Sequence, residues 1–140
     1  MILIGSDIIK ALKASTFSIG AVNVHESYSG SVSYPMLVLD ELPGDDGVYI
    51  DGQPCVVRNI LTLESYAKAM TVKGKIISKK TAAEQFLIEA DKILNGTFGL
   101  TMTGNIQAAP YSDQTVFRAV ATYVAYIDTR TNTICRSIKR

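Results

Sequence analysis

The sequence has few of the residues that build metal sites, disulfide scaffolds and imidazole-based catalytic sites. It contains one histidine, two cysteines and no tryptophan. A structural zinc site takes four Cys or His ligands at short spacing, whereas Cys55 and Cys135 are far apart in the chain. A small disulfide-stabilised domain needs a higher cysteine content. Both classes are therefore disfavoured, and the two cysteines are predicted to be buried or half-buried thiols.

An excess of one charge and a long apolar run are also missing. Lys and Arg number 14 and Asp and Glu 13, which gives a formal net charge of +1. A nucleic-acid-binding protein usually has a basic excess, so this class is disfavoured. No apolar run reaches the length of about 20 residues that crosses a membrane. Residues 1–4 have no basic residue before them and no cleavage site after them, so they do not predict a signal peptide.

What is present fits one cytosolic, soluble domain over residues 1–140, because 47% of the residues are apolar and 19% are charged. The spacing of apolar and turn residues predicts the elements. In chain order they are a helix from Ser6 to Lys13 or Ala14, strands at 36–39 and 55–67, a helix at 81–95, and strands at 97–108 and 114–128. Mobile loops are expected near 15–33, with a short extended run at 18–24, and near 42–54 and 68–80.

The α-β-β-α-β-β order does not alternate strand and helix one for one. It predicts an α+β single domain with a mostly antiparallel four-stranded sheet and two helices packed on one face. The inner strand faces are expected to carry Val57, Leu61 and Leu63, and the alternate residues from Phe117 to Ile127. Ser6 is the predicted N-cap of the first helix, and Thr81 and Glu84 have capping-box spacing at the start of the second. Asn95-Gly96 is its predicted end.

No set of residues predicts catalysis. His25, the one imidazole, has no nucleophile motif around it. Gly74-Lys75 lacks the upstream glycine of a phosphate loop. The acidic segment 40–51 lacks acidic residues at the EF-hand ligand positions. We therefore expect no enzyme activity, no cofactor and no metal.

Two charged segments suggest contacts between subunits. Residues 40–51 include Asp45 and Asp46, and residues 68–80 include five lysines. One interpretation is two independent solvated loops. The other is that the acidic loop of one subunit faces the basic loop of the next, a heterologous contact that rotation closes into a ring. The ring interpretation predicts that reversing the lysines at 73, 75, 79 and 80 weakens self-association.

The other faces of the strands at 55–67 and 114–128 are too apolar to be fully wet, and they predict cover by a loop, a helix or a neighbouring subunit. The apolar and aromatic residues concerned are Ile60, Tyr66, Val116, Val120, Val124 and Tyr126. For Arg58 and Arg118, three locations are open: a lumen, a neighbouring subunit, or a carboxylate within the sheet such as Glu64.

The stretch from Tyr111 to Arg118, continued by Tyr123-Val124-Ala125-Tyr126-Ile127-Asp128, resembles the last strand of bacteriophage tail terminator proteins. These proteins are also called tail-completion proteins. The chain length, the opening helix and Tyr34-Pro35 before the first strand fit the same family. In residues, the resemblance is concentrated at 107–134.

The resemblance implies a hexameric ring in the virion, assembled in the host cytoplasm, that caps the tail tube and ends its elongation. The implied partners are the tail tube protein, the head connector or other neck proteins and, in contractile tails, the sheath. DNA would pass through the lumen without specific binding. Combined with the charge pattern, it gives these subunit or tube contact candidates: Asp45, Asp46, Lys73, Lys75, Lys79, Lys80, Arg118, Tyr126 and Asp128. Two alternatives stay open: another neck, head-completion or tail-tube-like protein, and an unrelated small α+β ligand-binding module.

Overall fold

The computed structural model describes residues 3–26, 33–50 and 53–135, and at 45–50 and 53–55 it describes the backbone alone. In this part of the chain there are two helices and eight strands. They are α1 Gly5–Lys13, β1 Asn23–Glu26, β2 Met36–Ile50, β3 Gln53–Ala67, β4 Met70–Val72, β5 Lys75–Ile77, α2 Lys79–Phe98, β6 Met102–Ala109, β7 Phe117–Asp128 and β8 Thr133–Cys135. Neither described helix is long and apolar enough to cross a membrane.

The main sheet has the strand order β1-β2-β3-β7-β6, and β8 pairs with β7 beside β6. β1 runs parallel to β2, with Val24 opposite Leu37, and the other pairs are antiparallel. The expectation of a four-stranded antiparallel sheet is therefore wrong: the sheet is mixed and has six strands. β8 was missed, and the extended run expected at 18–24 overlaps β1 only at Asn23 and Val24, because strands of three and four residues carry too little alternation to be detected.

All three segments expected as mobile loops contain strands, and β1 lies in the first of them, 15–33. In 42–54, β2 continues to Ile50 and β3 begins at Gln53, with a register shift between Pro43 and Gly47 that accommodates the turn-forming residues. The predicted Asp51-Gly52 turn lies outside the described residues. In 68–80, β4 and β5 form a hairpin. Its two-residue turn is Lys73-Gly74, with φ of 51° and 79°, the left-handed geometry that matches hairpin twist.

The core lies between the helices and one face of the sheet. Leu61 and Leu63 of β3 and Ala121 and Ala125 of β7 are buried against α2, as the alternation predicts. The alanines of β7 leave room for Phe86, whose ring is fully buried. α1 packs on the same face through its own apolar stripe, which contains Ile4, Ile8 and Leu12.

The N-terminus of α1 is capped from another element. Ser6 was predicted as the N-cap, but Ile4 occupies that position and has no side-chain capping bond. The Glu41 carboxylate of β2 accepts hydrogen bonds from the Ile4 N–H at 3.0 and 3.1 Å and from the Gly5 N–H at 2.7 Å. A Cβ at Gly5 would lie 2.9 Å from Glu41 Oε1, so glycine permits this approach. A carboxylate at a helix N-terminus also interacts favourably with the helix dipole.

α2 is longer than predicted at both ends. Ser78 is the N-cap and accepts from the Thr81 N–H at 3.2 Å, so the capping box at Thr81 is wrong by one turn. The helix continues through Gly96 and ends before Gly99, which has a left-handed φ of 69°. Asn95 contributes to this end, because its side chain donates to the Leu100 carbonyl at 2.9 Å.

Candidate interaction surface

The face of the main sheet that points away from α1 and α2 is called the outer face here. On β3 it carries the residues at even positions from Arg58 to Tyr66, and on β7 those from Arg118 to Asp128. No described helix packs on it. This face combines an aromatic cluster at one end, a charged network next to it and an apolar strip at the other end.

Three tyrosines cover the end of the outer face near Met36. Tyr66 and Tyr111 contact edge to face with centroids 5.0 Å apart, and the hydroxyls of Tyr34 and Tyr111 are hydrogen-bonded at 2.6 Å. Beneath them, Met36 and Val116 are buried in a cluster separate from the main core. The segment around Tyr111 therefore folds over this end of the face and provides part of the predicted cover within the subunit.

Glu64 organises the charged network. Arg118 Nε donates to Glu64 Oε2 at 2.9 Å, and the Tyr66 hydroxyl donates to the same oxygen. Of the three locations considered for Arg118, the pairing with Glu64 within the sheet is the one that the structure shows. Burial, followed by the hydrogen bond to Glu64, raises the pKa of Tyr66 well above its usual value. The network fixes these side chains, and it leaves Arg118 half-exposed beside the Tyr66 ring.

An apolar strip lies toward the other end of the outer face, next to Arg58, which is half-buried opposite Tyr126. Leu42, Ile60 and Val124 lie side by side across three strands, and Tyr126 follows on β7. Leu42 is 65% exposed and Tyr126 is 47% exposed. Apolar side chains on adjacent strands with no described helix over them are typical of a surface that is buried on association.

Beside the strip, a cleft of about 510 Å³ opens at the start of β6, and its lining includes Met102 and Cys135. Cys135 is exposed, so the prediction of a buried or half-buried thiol is wrong for it, and the Cys55 side chain lies outside the described ones.

The acidic candidates, Asp45 and Asp46, and the lysine candidates lie near opposite ends of β3. Asp45 and Asp46 fall in the register shift of β2 near the start of β3, and their side chains lie outside the described ones. β3 then runs for 15 residues to Ala67, and the lysine-bearing hairpin follows it. At about 3.3 Å per residue, this separates the two charged segments by most of the length of the sheet. The structure does not bring them together within one subunit.

The lysine candidates differ in their surroundings. Lys73 is in the hairpin turn and Lys75 begins β5, and both are exposed. Lys79 and Lys80 are the first two residues of α2, and Lys79 Nζ donates to the carbonyl of Gln114. Lys73 and Lys75 therefore lie exposed on the hairpin and Lys80 is exposed at the start of α2, whereas Lys79 connects α2 to the segment before β7.

Asp128 at the end of β7 interacts with its own turn. Its carboxylate accepts from the Arg130 backbone N–H at 2.9 Å and from the guanidinium at 3.1 and 3.2 Å. These hydrogen bonds lower the pKa of Asp128. Asp128 therefore stabilises the turn between β7 and β8.

Sequence reasoning missed Glu41 as a helix cap and the tyrosine cluster, because both join residues that are distant in the chain. The Lys73-Gly74 turn had a detectable signal, since glycine often provides the left-handed turn of a two-residue hairpin. Within the described ranges, no group of three His, Cys, Asp or Glu side chains is placed to hold a metal ion. No protein-family model matches the chain, and a search of curated proteins finds no match to it.

Proposed function

We propose that this chain is a structural subunit that assembles into a ring and buries its outer face in the assembled particle. The observation that carries the proposal is the apolar strip, because Leu42 and Tyr126 are exposed beside Ile60 and Val124 on a face that no described helix covers. Burying one large apolar side chain contributes about 1.5–3 kcal/mol. A few such side chains per subunit, repeated around a ring, favour assembly.

The segments 111–118 and 123–128 resemble the last strand of tail terminators, and this resemblance supports assembly into a bacteriophage tail. In this proposal the ring is hexameric and caps the tail tube of a bacteriophage, ends tube elongation and provides the surface that joins the tail to the head connector. The protein would reside in the neck region of the virion. Its partners are copies of itself, the tail tube protein and neck proteins, and DNA passes through the lumen without specific binding.

Native mass spectrometry of the purified chain, alone and with its cognate tail tubes, tests this function. We expect a species of six times the 15.2 kDa chain mass in at least one condition. Electron microscopy then separates a terminator, whose rings stay single, from a tube-like protein, whose rings stack into tubes. A monomer in both conditions, with no association with tubes, would overturn the proposal.

A matched pair of variants tests the role of the outer face. Leu42→Glu places a charge on the apolar strip, and Ile88→Glu places one on an exposed apolar residue of α2, on the helix side of the sheet. We expect Leu42→Glu to lower the fraction of rings, or of rings bound to tubes, because the carboxylate would be desolvated. Ile88→Glu should behave like the unmodified protein. Equal behaviour of the two variants would exclude the strip from the interface.

The cleft beside Tyr126 favours a second candidate, a small ligand-binding module. Its volume of about 510 Å³ is within the usual range of small-molecule sites. That candidate predicts a monomer or dimer whose melting temperature rises with a ligand. A thermal-shift screen of common metabolites and metals, run on the protein that is used for mass spectrometry, distinguishes the two functions.

A further inference from the structure

The described sheet is open at both edges. Its strand path ends at β1 on one side and at β6 on the other, so it does not close on itself. The outer side of an edge strand presents unpaired backbone N–H and C=O groups. Proteins usually protect such an edge with lysine, proline or a bulge, because it can pair with another chain.

The β6 edge has little of this protection. There is no Asp, Glu, Lys or Arg between Lys92 and Asp113, and no proline within β6. Most β6 side chains are exposed. The register shift between Thr103 and Gln107 is the one protective feature, and it leaves Gly104 to Ile106 without partners on β7. This edge therefore has unpaired backbone groups and no charge that would oppose the approach of a second strand.

The strand directions determine which edge of a second copy fits. β1 is parallel to β2, and each step from β2 to β3, β7 and β6 reverses direction, so β6 runs antiparallel to β1. When two copies stand side by side with their strands in the same direction, β6 of one meets β1 of the next as an antiparallel pair. This contact uses two different surfaces, and rotation closes such contacts into a ring.

We infer that β6 of one subunit pairs with β1 of the neighbouring subunit, and that this strand pairing is the ring contact. The inference rests on the proposed ring function and names the contact between subunits within the ring. The outer face is not part of this edge contact, so its apolar strip is assigned to contacts with other components of the particle, such as the tail tube. It also differs from the contact between charged loops. Side-by-side subunits keep the Asp45-Asp46 segment at one end of the ring and the lysine hairpin at the other, so the two segments do not meet. A β6–β6 contact would instead give a two-fold dimer.

Cysteine cross-linking tests the pairing under the conditions in which the ring is observed. In a background with Cys55→Ser and Cys135→Ser, Glu26→Cys marks the end of β1 and Gln107→Cys marks β6, and both positions are exposed. With a short bismaleimide, the double variant should give a ladder of covalent species up to the full ring. Each single variant should stay monomeric on denaturing gels. A control pair, Ala14→Cys with Gln107→Cys, should give no ladder, because Ala14 follows α1 on the helix side.

A charge substitution gives a second readout that does not depend on cross-linker reach. Gln107→Lys places a charge on the β6 edge, and Ala14→Lys adds the same charge elsewhere. We expect Gln107→Lys to raise the protein concentration at which half of the rings dissociate by about tenfold or more, with Ala14→Lys unchanged.

The possible results separate this inference from the proposed function. A ring that forms without the ladder and tolerates Gln107→Lys would overturn the β6–β1 contact and leave the ring proposal intact. A dimer cross-linked through Gln107→Cys alone would overturn the contact in favour of β6–β6 pairing. A chain that stays monomeric with and without tail tubes would overturn both.

Discussion

At the scale of single residues, Glu41 connects three elements of the fold through its carboxylate, and nothing in the neighbouring sequence predicts these contacts. Its carboxylate caps α1 and also accepts from the side-chain amide of Asn59 at 2.7 Å. Asn59 is fully buried, and its carbonyl oxygen accepts from the Gly44 N–H at 3.4 Å. One side chain therefore connects α1, β2 and β3.

Glu41→Ala should destabilise the fold by about 1.5–5 kcal/mol. The change removes a helix cap, which contributes about 0.5–2 kcal/mol, and leaves the buried Asn59 amide without this acceptor, which costs about 1–3 kcal/mol. Urea denaturation measures the free energy of unfolding. Glu84→Ala on α2 removes the same charge and is the control. Similar losses in the two variants would show that charge, rather than capping, accounts for the effect.

Tyr66 should make stability depend on pH in alkaline solution. Its pKa is raised in the folded state by burial and by the hydrogen bond to Glu64. The neutral phenol therefore stabilises the fold below the unfolded-state pKa of about 10, and this contribution is lost as pH rises toward the folded-state pKa. Above pH 10 the free energy of unfolding should fall more steeply for the unmodified protein than for Tyr66→Phe, by up to about 1.4 kcal/mol per pH unit. Parallel curves from urea denaturation at pH 9–11 would contradict this assignment.

At the scale of elements, α2 shows how two nearby glycines differ in role. Gly96 lies within the helix, and a Cβ added there would have no heavy atom within 4 Å. Gly99 terminates the helix with φ of 69°. Sequence reasoning placed the stop at Gly96, because Asn-Gly is a common ending and because the local pattern does not show which glycine has the left-handed conformation.

Alanine substitutions at these two positions should have opposite effects. Gly96→Ala should raise the free energy of unfolding by about 0.5–1 kcal/mol, since glycine is the poorer helix former. Gly99→Ala should lower it by about 1–2 kcal/mol, because a Cβ is strained in the left-handed region. Melting temperatures and urea midpoints measure both changes. A stabilising Gly99→Ala would place the helix end elsewhere.

At the scale of the whole molecule, the separation of charged segments along β3 distinguishes two modes of assembly. Pairing of β6 with β1 places the acidic segments of all subunits at one end of the ring and the lysine hairpins at the other. A contact between acidic and basic segments instead requires the acidic end of one subunit to meet the basic end of the next. The charges that test this difference are on Lys73 and Lys75, which project from the hairpin. Lys79 is a poorer choice because it also bonds to the Gln114 carbonyl.

The double variant Lys73→Glu and Lys75→Glu should therefore retain its oligomeric state. Lateral strand pairing does not use the hairpin, so the native mass spectrum should match that of the unmodified protein at moderate salt. The control is Lys73→Gln with Lys75→Gln, which removes the charges without reversing them. Loss of the ring in the glutamate variant alone would favour the contact between charged segments and contradict the lateral arrangement.

The sequence by itself determined the features that depend on neighbouring residues. The inner faces of β3 and β7 follow from alternation, and most of α2 follows from its apolar period. The pairing of Arg118 with Glu64 was one of the three locations predicted for Arg118. Alternation places both residues on the same face of the sheet, where their side chains can meet. The near-neutral charge and scarcity of histidine and cysteine also followed directly from composition.

Only the tertiary structure decided which distant segments meet. The Glu41 cap and the tyrosine cover depend on partners tens of residues away, and the parallel β1–β2 pair joins segments across a connection without a local signal. Local spacing contains no information about such pairings. The sequence also did not determine whether the chain itself covers the outer face of β3 and β7, because this cover depends on the side of the sheet on which the helices pack. Both helices lie on the inner face, which leaves the apolar strip and the open β6 edge as the surfaces on which the proposed assembly depends.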